Sequence, residues 1–518
     1  MHKNSIALKT QVLLVLITFV SATFAQAPQT TFPTKRKESP QTWERDGLAT
    51  IKQRRKTKYK RRKAKNVILF IGDGMSISTL TAARILEGQL RGESGEENYL
   101  SFERFPFTAL SKTYSANQQT SDSAPTAAAM LTGQKTNEGL ISVNQNVLRG
   151  DYKAARLNKS KTLLEMAEEK GKSTGVVSTA RLTHATPAAC YAHAPDRNWE
   201  SDADVLRWGK DAYDAGFADI ARQLIESPYG NGLEVAMGGG RLKFMPKEMQ
   251  DPEYTENKSA VGSRLDKRNL TEEWKSKRKK SAYVWNKKQF DAINPRNTDR
   301  LLGLFQPSHM HYEHDRAKDK AGEPSLSEMT SKAIDILSKN KKGFFLMVEA
   351  GRIDHSHHNG NAYRALTDTI ELSNAVRVAK SKVKLKDTLI IVTADHSHTF
   401  TMAGYPARGN NIMGLVREVA RDGGSKKDPK LDKNKKPYTT LGYANGAGSR
   451  DGERPTLTDE DATSYDFKQE ALVPLGSETH GGDDVAIFAE GVNSWMFHGL
   501  MEQNWIFYVM QDAMRLKK

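Results

Sequence analysis

Four stretches of this chain read as short apolar strands that give way to carboxylates and imidazoles at one end. Val67-Ile68-Leu69-Phe70-Ile71 leads to Asp73, and Phe344-Phe345-Leu346-Met347-Val348 leads to Glu349, Asp354 and His358. Leu389-Ile390-Ile391-Val392-Thr393 leads to Asp395 and His396. The fourth reverses the order, because His480 precedes Asp484-Val485-Ala486-Ile487-Phe488. Open α/β sheets bind ligands in the crevice beyond the carboxyl ends of parallel strands. Carboxylates and imidazoles gathered there from distant stretches repel one another, or stay unpaired, unless cations hold them. The pattern predicts an α/β fold carrying a multi-metal hydrolytic site.

The segments between these strands support that architecture. Beyond residue 66, strand-like and helix-like stretches alternate, as in a layered βα fold. Ser173 to Thr179 and Gly232 to Met237 read as further strands, and Ser160 to Lys170 and Leu326 to Leu337 as amphipathic helices. Residues 245 to 300 are polar and irregular. From about Gly404 to Lys468 the chain turns Gly-, Lys- and Asp-rich, which predicts an inserted surface subdomain at 404–468. The catalytic body is then expected over 66–403 and 469–518.

The N-terminus reads as two further units. Residues 1–27 have a short basic start (His2, Lys3, Lys9), an apolar run from Val12 to Phe24, and small residues at Ala25 and Ala27. That is the pattern of a cleaved secretory signal, so the protein is expected to be exported, to a periplasm or outside the cell. The apolar run is shorter than the roughly 20 residues that span a bilayer. Residues 28–65 form a basic arm or helix. The 16 Lys and Arg up to Lys65, set against Glu38, Glu44 and Asp46, supply +13 of the formal net charge of +16. Most of them lie between Lys52 and Lys65. Such a block suits an anionic surface as a partner, and equally a solvated helix leading into the first strand. No recognition motif points to nucleic acid. Cys190 is the only cysteine, so no intrachain disulfide exists, and its apolar surroundings mark it as a small core residue.

Two motifs add chemistry to the metal ligands. Asp122-Ser123 opens the Ala-rich stretch Ala124-Pro125-Thr126-Ala127-Ala128-Ala129, which places a serine at a helix mouth. Unpaired amides and the macrodipole favour an alkoxide or bound anion there, although Asp-Ser before alanines is also a common cap. No Gly-x-Ser-x-Gly elbow surrounds Ser123, so a Ser-His-Asp hydrolase triad is excluded and a metal ion is the expected activator. His184-Ala185-Thr186-Pro187 is followed by Arg197, whose planar fork matches two phosphate oxygens.

Taken together these blocks resemble the alkaline phosphatase family, and its vertebrate-type branch in particular. The matching blocks are Asp73-Gly74-Met75, Asp122-Ser123-Ala124, Glu349-Ala350-Gly351-Arg352-Ile353-Asp354, His355-Ser356-His357-His358, Thr393-Ala394-Asp395-His396 and Glu478-Thr479-His480-Gly481-Gly482. Tyr283-Val284-Trp285-Asn286 and Leu302-Gly303-Leu304-Phe305 also look like that branch, and the similarity runs from about Trp43 to Met510. It implies a three-layer α/β/α sandwich whose inserted subdomain is crown-like, and a homodimer. It implies hydrolysis of diverse phosphate monoesters at alkaline pH through a phosphoserine formed on Ser123. By the same resemblance, Asp73, Asp395 and His396 bind the zinc beside Ser123, and Asp354, His358 and His480 bind a second zinc. Asp73, Thr186 and Glu349 bind magnesium, Arg197 grips the phosphate with Asp122 beside it, and His184 and His355 support the magnesium site without ligating it. His357 and His398 are left as structural.

Several positions depart from the family pattern. Thr120, Pro125 and Ala128 differ from its usual serine signature, while Asp122-Ser123 is intact. The branch's calcium site maps to Glu253, the Phe305 carbonyl, Gln306 and Glu323, where Gln306 replaces a glutamate and removes one charge. A sulfatase needs Ser or Cys-x-Pro-x-Arg, and Ser123-Ala124-Pro125-Thr126-Ala127 lacks the arginine. A phosphodiesterase has no use for Arg197, whose two contacts require a monoester's free oxygens.

Overall fold

Alternate side chains of β1 (Asn66–Gly72) enter different cores. Val67, Leu69 and Ile71 join one hydrophobic cluster, and Ile68 and Phe70 join another. A strand covered on both faces has no polar side to present, which explains its unbroken apolar run. In this computed structural model, which describes residues 28–33, 40–54, 56–59, 61–450 and 452–517, β1 lies inside a ten-stranded sheet. The stretch read as a signal peptide lies outside the described residues.

The other labelled strands are β2 (Phe107–Lys112), β3 (Ser173–Arg181), β4 (Val235–Gly239), β5 (Ser281–Val284), β6 (Arg300–Leu304), β7 (Phe344–Ala350) and β8 (Thr388–Ala394). From one edge the sheet runs Gly499–Glu502, β2, Val485–Gly491, β8, β1, β7, β3, β4, β6, β5. One face is covered by helices Ser123–Thr132, Leu163–Glu169 and Trp505–Met514, the other by Ile77–Gln89, Leu326–Leu337 and Ala362–Lys382. The result is a helix–sheet–helix sandwich of the expected class.

Among the described residues, only Val485–Gly491 runs against its neighbours in this sheet. That reversal accounts for the inverted order of the fourth motif. Ile487 pairs with Thr393, so the N-terminal end of this strand lies beside the C-terminal end of β8. His480 therefore arrives at the same edge as Asp395 and His396.

Differences from the sequence reading have local causes. The helix expected over Ser160 to Lys170 spans Leu163–Glu169, because Thr162 and Glu165 form a reciprocal capping box at its start. Residues 245 to 300, read as irregular, contain helices Leu270–Lys277 and Lys287–Ala292 and edge strand β5. These elements are short, and β5 is only half-buried, so no hydrophobic period develops. The helix Pro40–Arg54 ends early in the basic block, and Lys56 to Lys65 is not helical, as like charges on successive turns disfavour it.

The inserted stretch supplies one strand, Leu441–Gly446, of a small separate sheet with Phe400–Met402 and Ala471–Pro474. A bidentate pair from Arg417 to Asp459 (2.9 and 2.6 Å) ties its turns together. The N-terminal segment is fastened to it as well: Phe32 N donates to Gly409 O at 2.7 Å, and Asn411 N to Thr30 O at 3.0 Å.

Candidate active site

Three parallel strands and one antiparallel strand deliver their polar ends to one place. Asp73 follows β1, and Asp395 and His396 follow β8; all three are fully buried. His396 Nε2 lies 3.4 Å from Asp73 Oδ1 and 3.3 Å from Asp395 Oδ2. The turn after Asp73 demands glycine. Gly74 has φ +69°, and a Cβ there would sit 2.4 Å from the His398 ring. Its amide donates to Asp395 Oδ1 at 3.0 Å, which aims that carboxylate inward.

A second group forms from the helix Arg352–His358 and the 478–481 segment. Asp354 and His358 share one helical face, with His358 Nε2 3.3 Å from Asp354 Oδ1. His480 Nε2 is 3.3 Å from the same oxygen and 3.1 Å from His358 Nε2. Two ring nitrogens pointing at each other and at one carboxylate oxygen is a ligand arrangement. Their Nδ1 atoms face carbonyls: His358 faces Glu478 O at 2.5 Å and His480 faces Ser121 O at 2.8 Å. Those contacts select the Nδ1–H tautomer and leave Nε2 as the free donor of electrons.

The third group is all but closed to solvent. Glu349 from β7, Asp73 and the His184 ring offer ligand atoms within 4.8 Å of one another. Asp73 Oδ2, Glu349 Oε1, Thr186 Oγ1 and His184 Nδ1 are buried without a hydrogen-bond partner. Buried polar atoms are seldom left in that state, so four orphans here point to a missing cation. Burial, reinforced by Asp395, Asp354 and Glu349, pushes the Asp73 carboxyl well above the usual carboxylate range. Burial likewise raises Asp395, and it raises Glu349 to about 7. Burial also works against Asp354, but His358 overrides it, with His398 and His480, and holds that carboxyl well below its ordinary value. The donor chemistry of all three groups fits divalent cations: imidazole and carboxylate in the first two, mainly oxygen in the third.

Ser123 opens the helix Ser123–Thr132 and is 2% exposed. Its Oγ lies 3.1 Å from His396 Nε2 and 3.5 Å from Asp73 Oδ1. Asp122 caps the helix by accepting from Ala124 N at 2.7 Å, and it also accepts from Gly139 N at 3.1 Å. Arg197 Nη1 lies 3.7 Å from Asp122 Oδ1, and its Nη2 lies 3.1 Å from His184 Nε2. Its fork is thus held beside the serine by the serine's own neighbour. The His184 and His355 rings stand 5.5 Å apart next to that of His309. Burial, with the nearby arginines, keeps His184 well below its ordinary range and brings His355 down to about 3.

Three side chains of the site carry no role in the sequence reading. His398, set aside there as structural, lies with Nε2 2.9 Å from Asp354 Oδ1 and Nδ1 2.5 Å from Glu478 Oε2. Opposed by burial, these two carboxylates still raise it to about 9. Glu478 also accepts from Thr399 N and Thr399 Oγ1, both at 2.7 Å. His309 belongs to the imidazole cluster. The Glu478–His398–Asp354 chain fixes the Asp354 carboxylate, so His398→Ala is expected to weaken metal retention about 10- to 100-fold. Competition with a coloured chelator checks this, and unchanged affinity would make His398 a mere core residue.

The residues mapped to calcium do not form an all-oxygen cage. Glu253 Oε2 accepts from Arg241 Nη2 at 3.1 Å, and burial with Asp319 raises its carboxyl to about 7. Gln306 Oε1 accepts from Tyr254 at 3.2 Å, Phe305 is buried, and Glu323 Oε1 accepts from His311 N at 2.8 Å. An imidazole, His311, stands with Asp319 and Glu323 where a hard cation prefers oxygen alone.

A buried serine at a helix mouth, beside an arginine and converging carboxylates and imidazoles, defines the class as a metallohydrolase acting on phosphate esters. Comparison with known proteins narrows it. A family model for alkaline phosphatase matches residues 64–516. The tissue-nonspecific alkaline phosphatase isozyme of Rattus norvegicus is 44% identical over 488 residues, covering 93% of this chain and 90% of that protein. The Homo sapiens isozyme is 44% identical over 487 residues, covering 93% and 89%. The chain belongs to the alkaline phosphatase family and is a metal-dependent hydrolase of phosphate monoesters. The fold recurs in the solved alkaline phosphatase of the Antarctic bacterium TAB5, with a TM-score of 0.59 and 24% identity over 88% of this chain and 100% of that one. It recurs also in that of Thermus thermophilus, with a TM-score of 0.61 and 23% identity over 89% and 93%.

Proposed function

We propose that Ser123 is the nucleophile of a double in-line displacement at phosphorus and that Arg197 orients the substrate. The observation carrying this reading is Ser123 Oγ, buried at the positive end of its helix and 3.1 Å from His396 Nε2. Asp73, Asp395 and His396 would hold a zinc beside it, Asp354, His358 and His480 a second zinc, and Asp73, Thr186 and Glu349 a magnesium. When bound, these cations supply Lewis acidity at the nucleophile, the phosphoryl oxygens and the leaving oxygen. Ser123 Oγ forms a bond to phosphorus as the bond to the leaving alkoxide breaks. Water then attacks the phosphoserine from the vacated side, which frees inorganic phosphate and returns the serine. Arg197 donates to two phosphoryl oxygens throughout, and Asp122 keeps its fork in place. His184 and His355, held neutral, brace the oxygen-rich site. Calcium is left out of the proposal on the donor set described above.

Metal analysis of active protein tests the cation assignment, with two zinc and one magnesium per chain expected; active protein free of transition metal would end it. Arg197→Ala is expected to lower kcat/KM for p-nitrophenyl phosphate about 10- to 100-fold, the scale of lost charge-assisted hydrogen bonds. Hydrolysis of bis-p-nitrophenyl phosphate, which lacks the second free oxygen, should change far less; equal losses would remove Arg197 from monoester selection.

Export and self-association complete the proposal. The signal-like sequence at 1–27 supports export, and no described helix is long and apolar enough to cross a membrane. Homodimer formation through the inserted subdomain is supported by Tyr405 and Leu472, which are 91% and 85% exposed near it. The basic arm suits retention at an anionic surface.

A further inference from the structure

A second concave site lies at the end of the sheet remote from Ser123. Lys65 immediately precedes β1, Lys172 precedes β3, and Lys342 stands just before β7. Since β1, β7 and β3 are neighbours and parallel, these lysines share the N-terminal edge of the sheet. Lys63, Lys170, Lys341 and Arg515 join them around a concavity of about 490 Å³ that no carboxylate lines among the described residues.

Lys172 is the unusual member. Only 3% exposed, its ammonium donates to Lys65 O at 2.8 Å and Lys342 O at 2.7 Å. Two neutral carbonyls do not balance a buried cation that faces other cations, and an isolated buried charge is costly. Burial, then Lys63 and Lys65, bring this ammonium down to about 8. Nothing in the catalytic reading uses the cluster. Packing seven cations around one hollow is unfavourable by itself and becomes favourable when an anion of matching charge enters. A hollow, unlike a flat face, suits a compact ligand better than the plane of a bilayer.

We propose that this concavity binds a compact anion carrying two or more phosphate groups, either free or as the headgroup of a polyphosphorylated lipid. The test uses the full metal-loaded enzyme and a methylene-bridged triphosphate, which it cannot hydrolyse at the bridges. Titration calorimetry should give one event displaced by excess inorganic phosphate, at the catalytic site, and a second that persists. The persistent event should weaken about tenfold in Lys341→Glu/Lys342→Glu, and also in Lys170→Glu, as expected for lost charge complementarity. It should weaken further as salt rises. Both variants should hydrolyse p-nitrophenyl phosphate at the normal rate, which separates this site from Ser123 and reports correct folding. Cosedimentation with phosphatidylcholine vesicles with and without phosphatidylinositol bisphosphate distinguishes the sources: lysine-dependent vesicle binding without a free-triphosphate event assigns the hollow to headgroups. A single event fully displaced by phosphate with no vesicle binding, or a second event unchanged in both variants, overturns the proposal.

Discussion

Ser123→Ala is expected to cut turnover of p-nitrophenyl phosphate by at least about 10³-fold, because a covalent route is closed rather than slowed. The geometry makes the loss specific. Thr126 is the nearest hydroxyl on the same helix, but it already donates to Asp122 O at 3.0 Å. The cap that shapes the helix mouth is Asp122, through Ala124 N, and it survives the substitution. Alanine is a good helix former at this buried first position, so stability should move by no more than about 1 kcal/mol. Loss of activity with an unchanged unfolding midpoint and no label from ³²P-labelled substrate is the expected result. A variant within tenfold of the parent would mean that water attacks phosphorus directly and that Ser123 only caps the site.

How readily such a residue is read from sequence depends on how local its signal is. β1, β7 and β8 announce themselves because burial on both faces forces continuous apolar runs, and the ligands that follow them sit at fixed, short offsets. His480 is legible for the same reason, once its strand is allowed to run backwards. Glu478 stands two residues before His480, yet nothing local distinguishes it from a surface glutamate. Its role rests on His398, eighty positions away, and that contact exists only after the antiparallel pairing of His480 with His398 forms. His309 is hidden likewise, reaching His184 and His355 from the loop beyond β6. The lysines of the basic hollow are scattered over hundreds of residues, and the sheet order alone makes them neighbours.

Stripping the metals should abolish activity and also change how stability depends on pH. In the metal-free protein, Asp73 and Asp395 are pushed up and Glu349 is raised to about 7, chiefly by burial. A folded state that holds protons more tightly than the unfolded chain loses stability as pH rises from the unfolded value near 4 through the folded one. For Glu349 the loss is on the order of 3 kcal/mol by about pH 7, the energy equivalent of its displacement. His398, raised to about 9, adds a loss between its unfolded value near 6.5 and that pH. Asp354 opposes these, since its depressed carboxyl stabilises the fold above pH 4. Three raised carboxyls and a raised imidazole outweigh it. Chelated protein should therefore melt at falling temperature from pH 5 to pH 9, while the metal-loaded enzyme, whose carboxylates are ionised and paired, should not. The gain in melting temperature on adding back zinc and magnesium should then widen with pH, because ligation requires deprotonated donors. Differential scanning calorimetry before and after chelation measures both slopes. A gain independent of pH, or turnover untouched by chelator, would show that these buried carboxylates are not held by cations.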